Sequence, residues 1–266
     1  MTIAQLAWGL SIVAALFLAG RAWPVKARNG GSIVANASMS WESSDVFTVG
    51  TYNIHRARGL DGRKDLARIA NVIRDTDIVA LQEVEGTSLF RPRDQASRLA
   101  QRLKRCMHFA PTRKLIFFPQ RGNALLSRLP IADWHTVPVF PSTGRAHRSF
   151  SVYRMASRHG DVHILNTHLS KPAEGEQPLK AVMQAFARYP RAVLLGDFNA
   201  TSDDPAMRRH LPEDATDALS DVEPTQRRVD MILLRGLTAE AVWSAPAGPS
   251  DHPYFAARLR LDRRSS

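Results

Sequence analysis

A length of 266 residues with 44% hydrophobic content supports one sizeable core, and the chain can form one α/β domain rather than two. The single cysteine, Cys106, excludes an internal disulfide framework. Arginine and lysine number 36 against 25 acidic residues, and only three of these bases precede residue 46, so the excess belongs to the remainder. This excess favours an acidic partner such as nucleic acid, a phosphorylated metabolite or an anionic membrane surface; an arginine-rich solvated surface is the alternative.

Residues 1–22 form a hydrophobic segment, because no charged side chain occurs before Arg21. The apolar run from Leu6 to Ala19 is short for a membrane span and long for the core of a signal peptide. We predict that this segment anchors the chain in a membrane or directs its export, with the side of the membrane open; a buried core helix is the alternative. The stretch from Asn29 to Ser44 is rich in Gly, Ser, Asn and Ala, as flexible tethers are. We therefore predict a flexible linker over residues 23–45 and a folded domain over residues 46–266.

Strand and helix patterns alternate after the linker. A strand is predicted over Val46–Ile54, a helix over Lys64–Arg74 and a short apolar strand over Asp77–Leu81, which together indicate a βαβ unit. Further helices are predicted over Arg91–Lys104 and Gln177–Arg188. The other predicted strands are Leu115–Phe118, Asn123–Leu126, Val137–Val139, Arg148–Met155, Asp161–His168, Ala192–Leu195, Val229–Leu234 and Tyr254–Leu261, and a turn is predicted at Gln120–Gly122.

Polar side chains stand at the ends of several predicted strands. In an open α/β fold such ends gather on one rim, where ligands bind, so we expect these side chains to lie together. Taken singly, each has an ordinary explanation; Gly196 to Asn199, for example, is also a typical turn sequence. The strand-end residues are Asn53, Glu83, His168, Asp197, Asn199, Asp251 and His252, and Asp230 opens a further strand.

The residue types at this rim suit metal-assisted phosphate hydrolysis. Oxygen ligands without a cluster of thiolates favour Mg²⁺ or Mn²⁺ over structural zinc. A histidine beside a carboxylate can hold a defined tautomer and protonation state. The sequence contains neither a Gly-x-x-x-x-Gly-Lys-Ser/Thr loop nor a Gly-x-Ser-x-Gly motif, which argues against a P-loop NTPase and against a serine hydrolase.

Eight stretches resemble the endonuclease/exonuclease/phosphatase superfamily, in that family's order, between residues 46 and 261. They are TYNIHRARGLDGR (51–63), DIVALQEVEG (77–86), GNALLSRLPI (122–131), HRSFSV (147–152), ILNTHLS (164–170), LLGDFNA (194–200), RVDMILL (228–234) and SDHPYFA (250–256). The family includes deoxyribonuclease I-like nucleases, apurinic endonucleases, neutral sphingomyelinases and inositol-phosphate phosphatases. The resemblance implies a four-layer α/β sandwich, in which two packed mixed β-sheets are flanked by helices.

The resemblance also implies how the metal and the water would be held. Glu83 would be the principal Mg²⁺ ligand, with Asn53 and Asp251 near the metal, and Mn²⁺ could take the place of Mg²⁺. Asp197 would orient and deprotonate the attacking water. Asn199 would help to hold the water or the phosphate.

Five further matched residues are implied to act on the phosphate. His252, paired with Asp230, would bind and neutralise the scissile phosphate. His168 would stabilise charge on the pentacovalent transition state. Arg148 matches a phosphate-contacting arginine, and Asn123 a structural or phosphate-near amide.

The predicted function is therefore Mg²⁺-dependent hydrolysis of phosphodiester or phosphomonoester bonds by metal-assisted attack of water. The substrate would be anionic, either a nucleic acid or a phospholipid head group, and the N-terminal segment would contact a membrane. No obligate protein partner is inferred. The alternative is a membrane-tethered binding module without catalytic activity on the same scaffold. His55 stands where apurinic endonucleases place an acidic residue, which argues against a second metal position.

Overall fold

The structure is a computed structural model that describes residues 3–20, 23–34, 45–89, 91–114, 118–141, 147–157, 159–222 and 228–261. The helices are α1 (Ile3–Gly20), α2 (Leu66–Ile73), α3 (Gln95–Leu103), α4 (Gln177–Ala187) and α5 (Pro205–His210). The strands are β1 (Trp23–Pro24), β2 (Arg28–Gly30), β3 (Val46–Asn53), β4 (Ile78–Glu85), β5 (Cys106–Lys114), β6 (Arg121–Ser127), β7 (Asp133–Val139), β8 (Arg148–Ser157), β9 (Gly160–His168), β10 (Ala192–Asp197), β11 (Thr216–Asp217), β12 (Asp230–Arg235), β13 (Leu237–Ala245) and β14 (Tyr254–Leu261).

The described strands form two seven-stranded mixed sheets. The first sheet has the order β1-β5-β6-β4-β3-β14-β13, and the second has the order β11-β12-β10-β9-β8-β7-β2. Strand β3 runs parallel to β4, and β9 runs parallel to β10, whereas the other neighbouring pairs are antiparallel. Each sheet therefore has one parallel pair near its centre, and the strands of that pair end on the same side.

The sheets pack face to face and helices cover their outer faces. Val49 and Ile78 of the first sheet meet Ile164 and Leu195 of the second in a fully buried core. Apolar residues of α2 and α3 cover the outer face of the first sheet, and those of α4 and α5 cover the outer face of the second. The predicted four-layer sandwich of two mixed sheets between helices is therefore confirmed.

Strand β10 shows why its sequence has no polar alternation. Val193 and Leu195 face the core between the sheets, while Leu194 faces the cluster that contains α4. A strand that is covered on both faces is apolar at every position. Its polar residues therefore appear only where the strand leaves the core.

Several element boundaries differ from the prediction. Helix α3 starts at Gln95 rather than Arg91, because the Asp94 carboxylate accepts the Ser97 amide at 2.6 Å and caps the helix there. The turn predicted at Gln120–Gly122 is wrong, since β6 starts at Arg121. Most of the predicted strand Leu115–Phe118 lies outside the described residues. The sequence prediction also missed β5, β13 and α5; in β5 the proline at position 111 sits at a register shift, where proline is tolerated.

The N-terminal region contributes one helix and two short edge strands. Strand β1 pairs with β5 and β2 pairs with β7, so residues predicted as linker extend both sheets. The large apolar side chains that the structure describes in α1 are exposed, with Trp8 at 74% and Leu16 at 67%. Within the described residues, no helix combines the length and the apolarity that a membrane crossing requires.

Candidate active site

One rim of the sandwich gathers the ends of its central strands. At the end of β10, Asp197 lies opposite His168 of β9 and opposite Asp230 of β12. Gly196 makes this approach feasible, because a Cβ there would lie 2.1 Å from the carbonyl oxygen of Thr167. The parallel pairing with β9 and the antiparallel pairing with β12 thus place a carboxylate between a histidine and a second carboxylate.

Asp197 is the most connected side chain at the rim. Its Oδ2 atom accepts a hydrogen bond from Asn53 Nδ2 at 2.9 Å, and its Oδ1 atom accepts the backbone amide of Asn199 at 2.9 Å. The Nε2 atoms of His168 and His252 lie 3.4 and 3.8 Å from the same Oδ2 atom. Asp197 is only 2% exposed. Burial raises the pKa of Asp197, while the charge of His252 and the hydrogen bond from Asn53 act in the opposite direction.

His252 and Asp230 form a buried ion pair beside Asp197. His252 Nδ1 donates to Asp230 Oδ2 at 2.7 Å, which leaves Nε2 directed towards Asp197. Burial alone would lower the pKa of His252, but the hydrogen bond and charge of Asp230, helped by Asp197, raise it to about 9. Burial raises the pKa of Asp230 to about 6, against the hydrogen bond from His252. Both groups are therefore charged at neutral pH.

His168 is neutral at neutral pH, whereas His252 is positively charged. Burial, and then the positive charges of Arg148 and His252, hold the pKa of His168 well below its usual range. His168 is thus a neutral imidazole at neutral pH, and its Nε2 atom also lies 3.3 Å from Asn199 Nδ2. Asn199 is itself fixed, because its Nδ2 donates to the carbonyl oxygen of Leu169 at 2.8 Å. The predicted stabilisation of transition-state charge would therefore come from a neutral hydrogen-bonding group.

Glu83 reaches the rim through a β-bulge in β4. The register of β4 against β6 shifts at this point, and Glu83 has a φ of 54°. A bulge re-aims a side chain: Gln82 stays buried, whereas Glu83 lines a cavity of about 150 Å³. The cavity is also lined by Arg121, Asn123, His147, Arg148 and His168.

Arg148 and Asn123 stand in the wall of this cavity. Arg148 Nε donates to Ser170 Oγ at 3.2 Å. Burial lowers the pKa of Arg148, whereas the charges of Asp197 and Glu83 act to raise it, and a guanidinium stays protonated. Asn123 is buried, and its Nδ2 atom has no acceptor in the part of the chain that the structure describes. A buried donor without an acceptor suits an oxygen of a bound ligand.

Asn53, Asp251 and Glu83 have different neighbours, although all three were predicted near one metal ion. Asn53 Oδ1 accepts the backbone amide of His55 at 3.1 Å, while its Nδ2 donates to Asp197. Asp251 is half-exposed, and its Oδ2 lies 3.2 Å from His55 Nδ1. The partner of Asp251 is thus His55, the residue that the sequence comparison places where apurinic endonucleases have an acidic residue.

The sequence matches a family model described as the Endonuclease/Exonuclease/phosphatase family over residues 50–252. The chain belongs to this family. Its members are generally metal-dependent phosphoester hydrolases, so the rim described above stands on a hydrolase fold. The comparison with curated proteins found no match.

Solved structures with the same fold include family proteins from two bacteria. The Beutenbergia cavernae protein is 23% identical, with a TM-score of 0.69, and the match covers 82% of this chain and 72% of that one. The Leptotrichia buccalis protein is 16% identical, with a TM-score of 0.67, covering 81% and 100%. Truncated TDP2 from Caenorhabditis elegans is 18% identical, with a TM-score of 0.56, covering 81% and 98%. At these identities the likeness establishes the shared fold.

The donor chemistry of the rim fits the metal dependence of the Endonuclease/Exonuclease/phosphatase family. Asp197, Asp230 and His252 bring ligand atoms within 4.8 Å of one another, which makes them a candidate Asp/His metal group. However, His252 Nδ1 is already bonded to Asp230. Glu83 has no salt bridge or side-chain hydrogen bond to another described residue, so its carboxylate is available to a hard cation. Asp230 Oδ1 is buried and also lacks a partner among the described residues.

Sequence reasoning missed Arg121 as a site residue. It lies two positions before Asn123 on β6, so both side chains face the same side of the strand and line the same cavity. Burial lowers the pKa of Arg121, and the charges of Glu83 and Glu85 act to raise it. The alternation of side-chain direction along β6 could have identified Arg121, but the turn predicted at Gln120–Gly122 placed it outside the strand.

Proposed function

We propose that the chain is a phosphoester hydrolase that uses Mg²⁺ or Mn²⁺ and activates water with Asp197. The observation that carries this proposal is the convergence of Asn53, His168 and His252 on a single buried oxygen of Asp197. A structural turn residue would not need three polar side chains around one carboxylate oxygen. A general base held in a defined orientation does need them.

Glu83 would hold the metal ion, with Asn53 and Asp251 close to it. When bound, the cation would supply positive charge that stabilises the phosphoryl oxygens as negative charge develops on them. Arg148 and Asn123, in the wall of the cavity beside Glu83, would bind the remaining phosphate oxygens. The scissile phosphate would thus lie between the Glu83 cavity and the Asp197 cluster.

Asp197 would accept the proton of the attacking water at one of its carboxylate oxygens. Burial raises the pKa of Asp197, which strengthens it as a base. Hydrogen bonds from the Asn53 side chain and the Asn199 backbone amide fix the orientation of its carboxylate. His252 carries a positive charge at neutral pH and points Nε2 into the same space. It would therefore stabilise the phosphate as charge grows, while Asp230 holds its tautomer.

Direct assays of phosphoester cleavage test this proposal. The full chain is incubated with supercoiled DNA, RNA, sphingomyelin or phosphoinositides, in Mg²⁺ and in EDTA. Cleavage of one substrate class in Mg²⁺ and none in EDTA is expected. Equal cleavage in both buffers contradicts the metal requirement, and no cleavage of any substrate favours the non-catalytic binding module.

We also propose that residues 1–22 bring the chain to a membrane, either as an anchor or as an export signal. The exposure of the described apolar side chains between Trp8 and Leu16 of α1 supports this, because an apolar helix that is not buried in its own domain needs another apolar environment. The charge of the folded domain fits an anionic substrate at such a surface.

A further inference from the structure

The exposed large apolar side chains of the folded domain concentrate at the active-site rim. Among the described residues from 45 to 261, five such side chains are exposed: Leu60 and Leu89 at 67%, Phe118 at 61%, Phe140 at 58% and Trp243 at 38%. Four of them lie in the four loops that follow β3, β4, β5 and β7 at this rim. Scattered exposed apolar residues are ordinary, but a group at one edge marks an interaction surface.

Backbone hydrogen bonds hold three of these loops, those that carry Leu60, Leu89 and Phe118. The Leu60 amide donates to the carbonyl oxygen of Gly248 at 2.9 Å. Leu89 follows Ser88, whose backbone exchanges two hydrogen bonds with that of Arg91, at 2.9 and 3.1 Å. The loop that carries Phe118 is tied to the Leu89 loop at 2.8 and 3.1 Å, through the backbone of Gln120. The fold thus fixes the backbone of the loops on which Leu60, Leu89 and Phe118 are exposed.

A basic groove of about 740 Å³ adjoins the same loops. The groove has two acidic residues: Glu85 is paired with Lys64 Nζ at 2.6 Å and with Arg91 at 3.3 Å, and Asp65 lies 3.8 Å from Arg68 Nε. Arg98 and Arg102 are exposed and form no salt bridge within the described part of the chain. They stand four residues apart on α3, a spacing at which like charges destabilise a helix. An anionic partner would remove this repulsion, and Arg93 adds a further cation to the groove.

The N-terminal helix joins the domain at this rim. In β1, Trp23 pairs with Lys114 and Pro24 pairs with Arg113, and Arg113 lines the cavity of Glu83. Helix α1 ends at Gly20, so the connection to Trp23 spans at most about 10 Å. An apolar helix in a membrane would therefore hold the mouth of the candidate active site near the membrane surface.

We infer that this rim is a docking surface for a phospholipid bilayer that contains anionic lipids, and that the phosphoester is a lipid head group. The inference rests on the proposed function. Leu60, Leu89, Phe118 and Phe140 enter the acyl boundary, while the arginines of the groove bind lipid phosphates. A nucleic acid would also bind the arginines, but it makes poor use of the two leucines, which have no aromatic face on which a base can stack.

Site-directed spin labelling measures the docking directly. Cys106 is the single cysteine and is buried, so Leu89→Cys and Phe118→Cys can be labelled selectively in the full chain. Trp243→Cys is the matched control, because Trp243 is exposed within the edge strand β13 and belongs to none of the four loops. The probe is a phosphatidylcholine vesicle with phosphatidylserine, and the measurement is accessibility of the label to oxygen and to a water-soluble nickel chelate.

Labels at positions 89 and 118 should gain oxygen accessibility and lose nickel accessibility on vesicles, while the label at 243 stays aqueous. Labels at 89 and 118 that remain as aqueous as the control would overturn the inference. Protection of those labels by DNA or RNA oligonucleotides and not by vesicles would also overturn it, in favour of nucleic acid. This readout needs no turnover, so it stands even if the chain hydrolyses nothing.

Activity provides the second test. The rate of the double variant Leu89→Ser/Phe118→Ser on vesicle phospholipid should be about tenfold or more below that of the wild type. The reason is that the variant no longer transfers two large apolar side chains from water into the bilayer. Its rate on a water-soluble ester, bis(4-nitrophenyl) phosphate, should not change, and Trp243→Ser should change neither rate. An equal loss on both substrates would show a general defect and contradict docking.

Discussion

Replacing Asp230 with asparagine removes one negative charge from the buried ion pair and keeps an oxygen that can accept the hydrogen bond from His252. The pKa of His252 is about 9 in the fold, against an ordinary value of 6.5. That difference corresponds to about 3 kcal/mol in favour of the imidazolium form. Asp230 is the principal source of this preference, while burial opposes it. Without Asp230, the pKa of His252 should therefore fall well below its value in the wild type, although Asp197 and Asp251 still act to raise it.

The sign of the pH dependence follows from these values. A cationic His252 is lost as the pH rises through its pKa, so kcat/KM of the wild type should fall around pH 9. In Asp230→Asn this fall, the alkaline limb of the profile, should move to lower pH, and kcat at pH 7.5 should drop by up to about 10² to 10³-fold, as when one transition-state donor is lost. An NMR titration of the His252 ring in EDTA measures the same pKa without metal.

Asp214→Asn is the matched control for this experiment. Asp214 is an exposed aspartate that is paired with Arg235 at 2.8 Å. Arg235 is the last residue of β12, whereas Asp230 is the first, so this pair lies at the other end of the strand. Its substitution should leave the alkaline limb where it is. If Asp230→Asn also leaves that limb near pH 9, Asp230 does not set the charge of His252, and the reasoning about the pair is refuted.

Three further predictions address the metal, the base and the leader. Glu83→Gln should keep the fold, lower turnover by orders of magnitude and weaken Mg²⁺ binding in a titration; unchanged affinity and turnover would remove Glu83 from the site. Asp197→Asn and His252→Ala should each cost about 10² to 10⁴-fold in kcat, and the double variant should be little worse than the poorer single one; losses that merely track melting temperature would indicate structural roles. Residues 1–22 should place the chain in the membrane fraction, or be cleaved on export; an uncleaved, fully soluble chain after fractionation of cells would contradict the proposal.

The rim was predictable because its residues sit where apolar strands end. Asp197 and His168 each follow a run of buried residues, and the parallel pairing of β9 and β10 then brings them together. The match of the family model over residues 50–252 confirms the family suggested by the motifs. The roles of the individual side chains stay predictions, because the fold places them without testing their chemistry.

Other features of the site depend on contacts that the local sequence does not specify. The bulge that turns Glu83 outward is set by the register between β4 and β6, whose partners are far apart in the chain. The contact of Asp251 with His55 joins two loops almost 200 residues apart. The charge states of His168 and His252 differ because their buried neighbours differ. Such differences arise from tertiary packing, which a single sequence pattern does not encode.

Backbone strain is also concentrated at the rim. Of the described non-glycine residues with positive φ, five belong to rim segments and one, Lys104 with a φ of 53°, ends α3. The rim residues are His55, Arg56, Ala57, Glu83 and Asn199. The left-handed conformation costs a residue with a Cβ about 1 to 2 kcal/mol. Strain that persists at one functional edge indicates that the surrounding contacts over-determine the backbone there.

A pair of glycine substitutions separates strain that serves the site from strain that does not. Glycine removes the left-handed penalty but loses about 0.5 to 1 kcal/mol through its larger unfolded-state entropy, so Lys104→Gly should stabilise the chain by about 0.5 to 1 kcal/mol. Arg56→Gly should give a smaller gain, because the backbone carbonyl that accepts Gln95 Nε2 at 2.8 Å is retained but the contact of Arg56 Nη2 with His55 Nε2 is lost. Lys104→Gly should leave turnover unchanged, whereas Arg56→Gly should lower it, since a positive charge near Arg121 is lost. Denaturant unfolding and kcat on the same proteins decide this: a stabilised Arg56→Gly chain with wild-type turnover would mean that the strained loop does not serve the reaction.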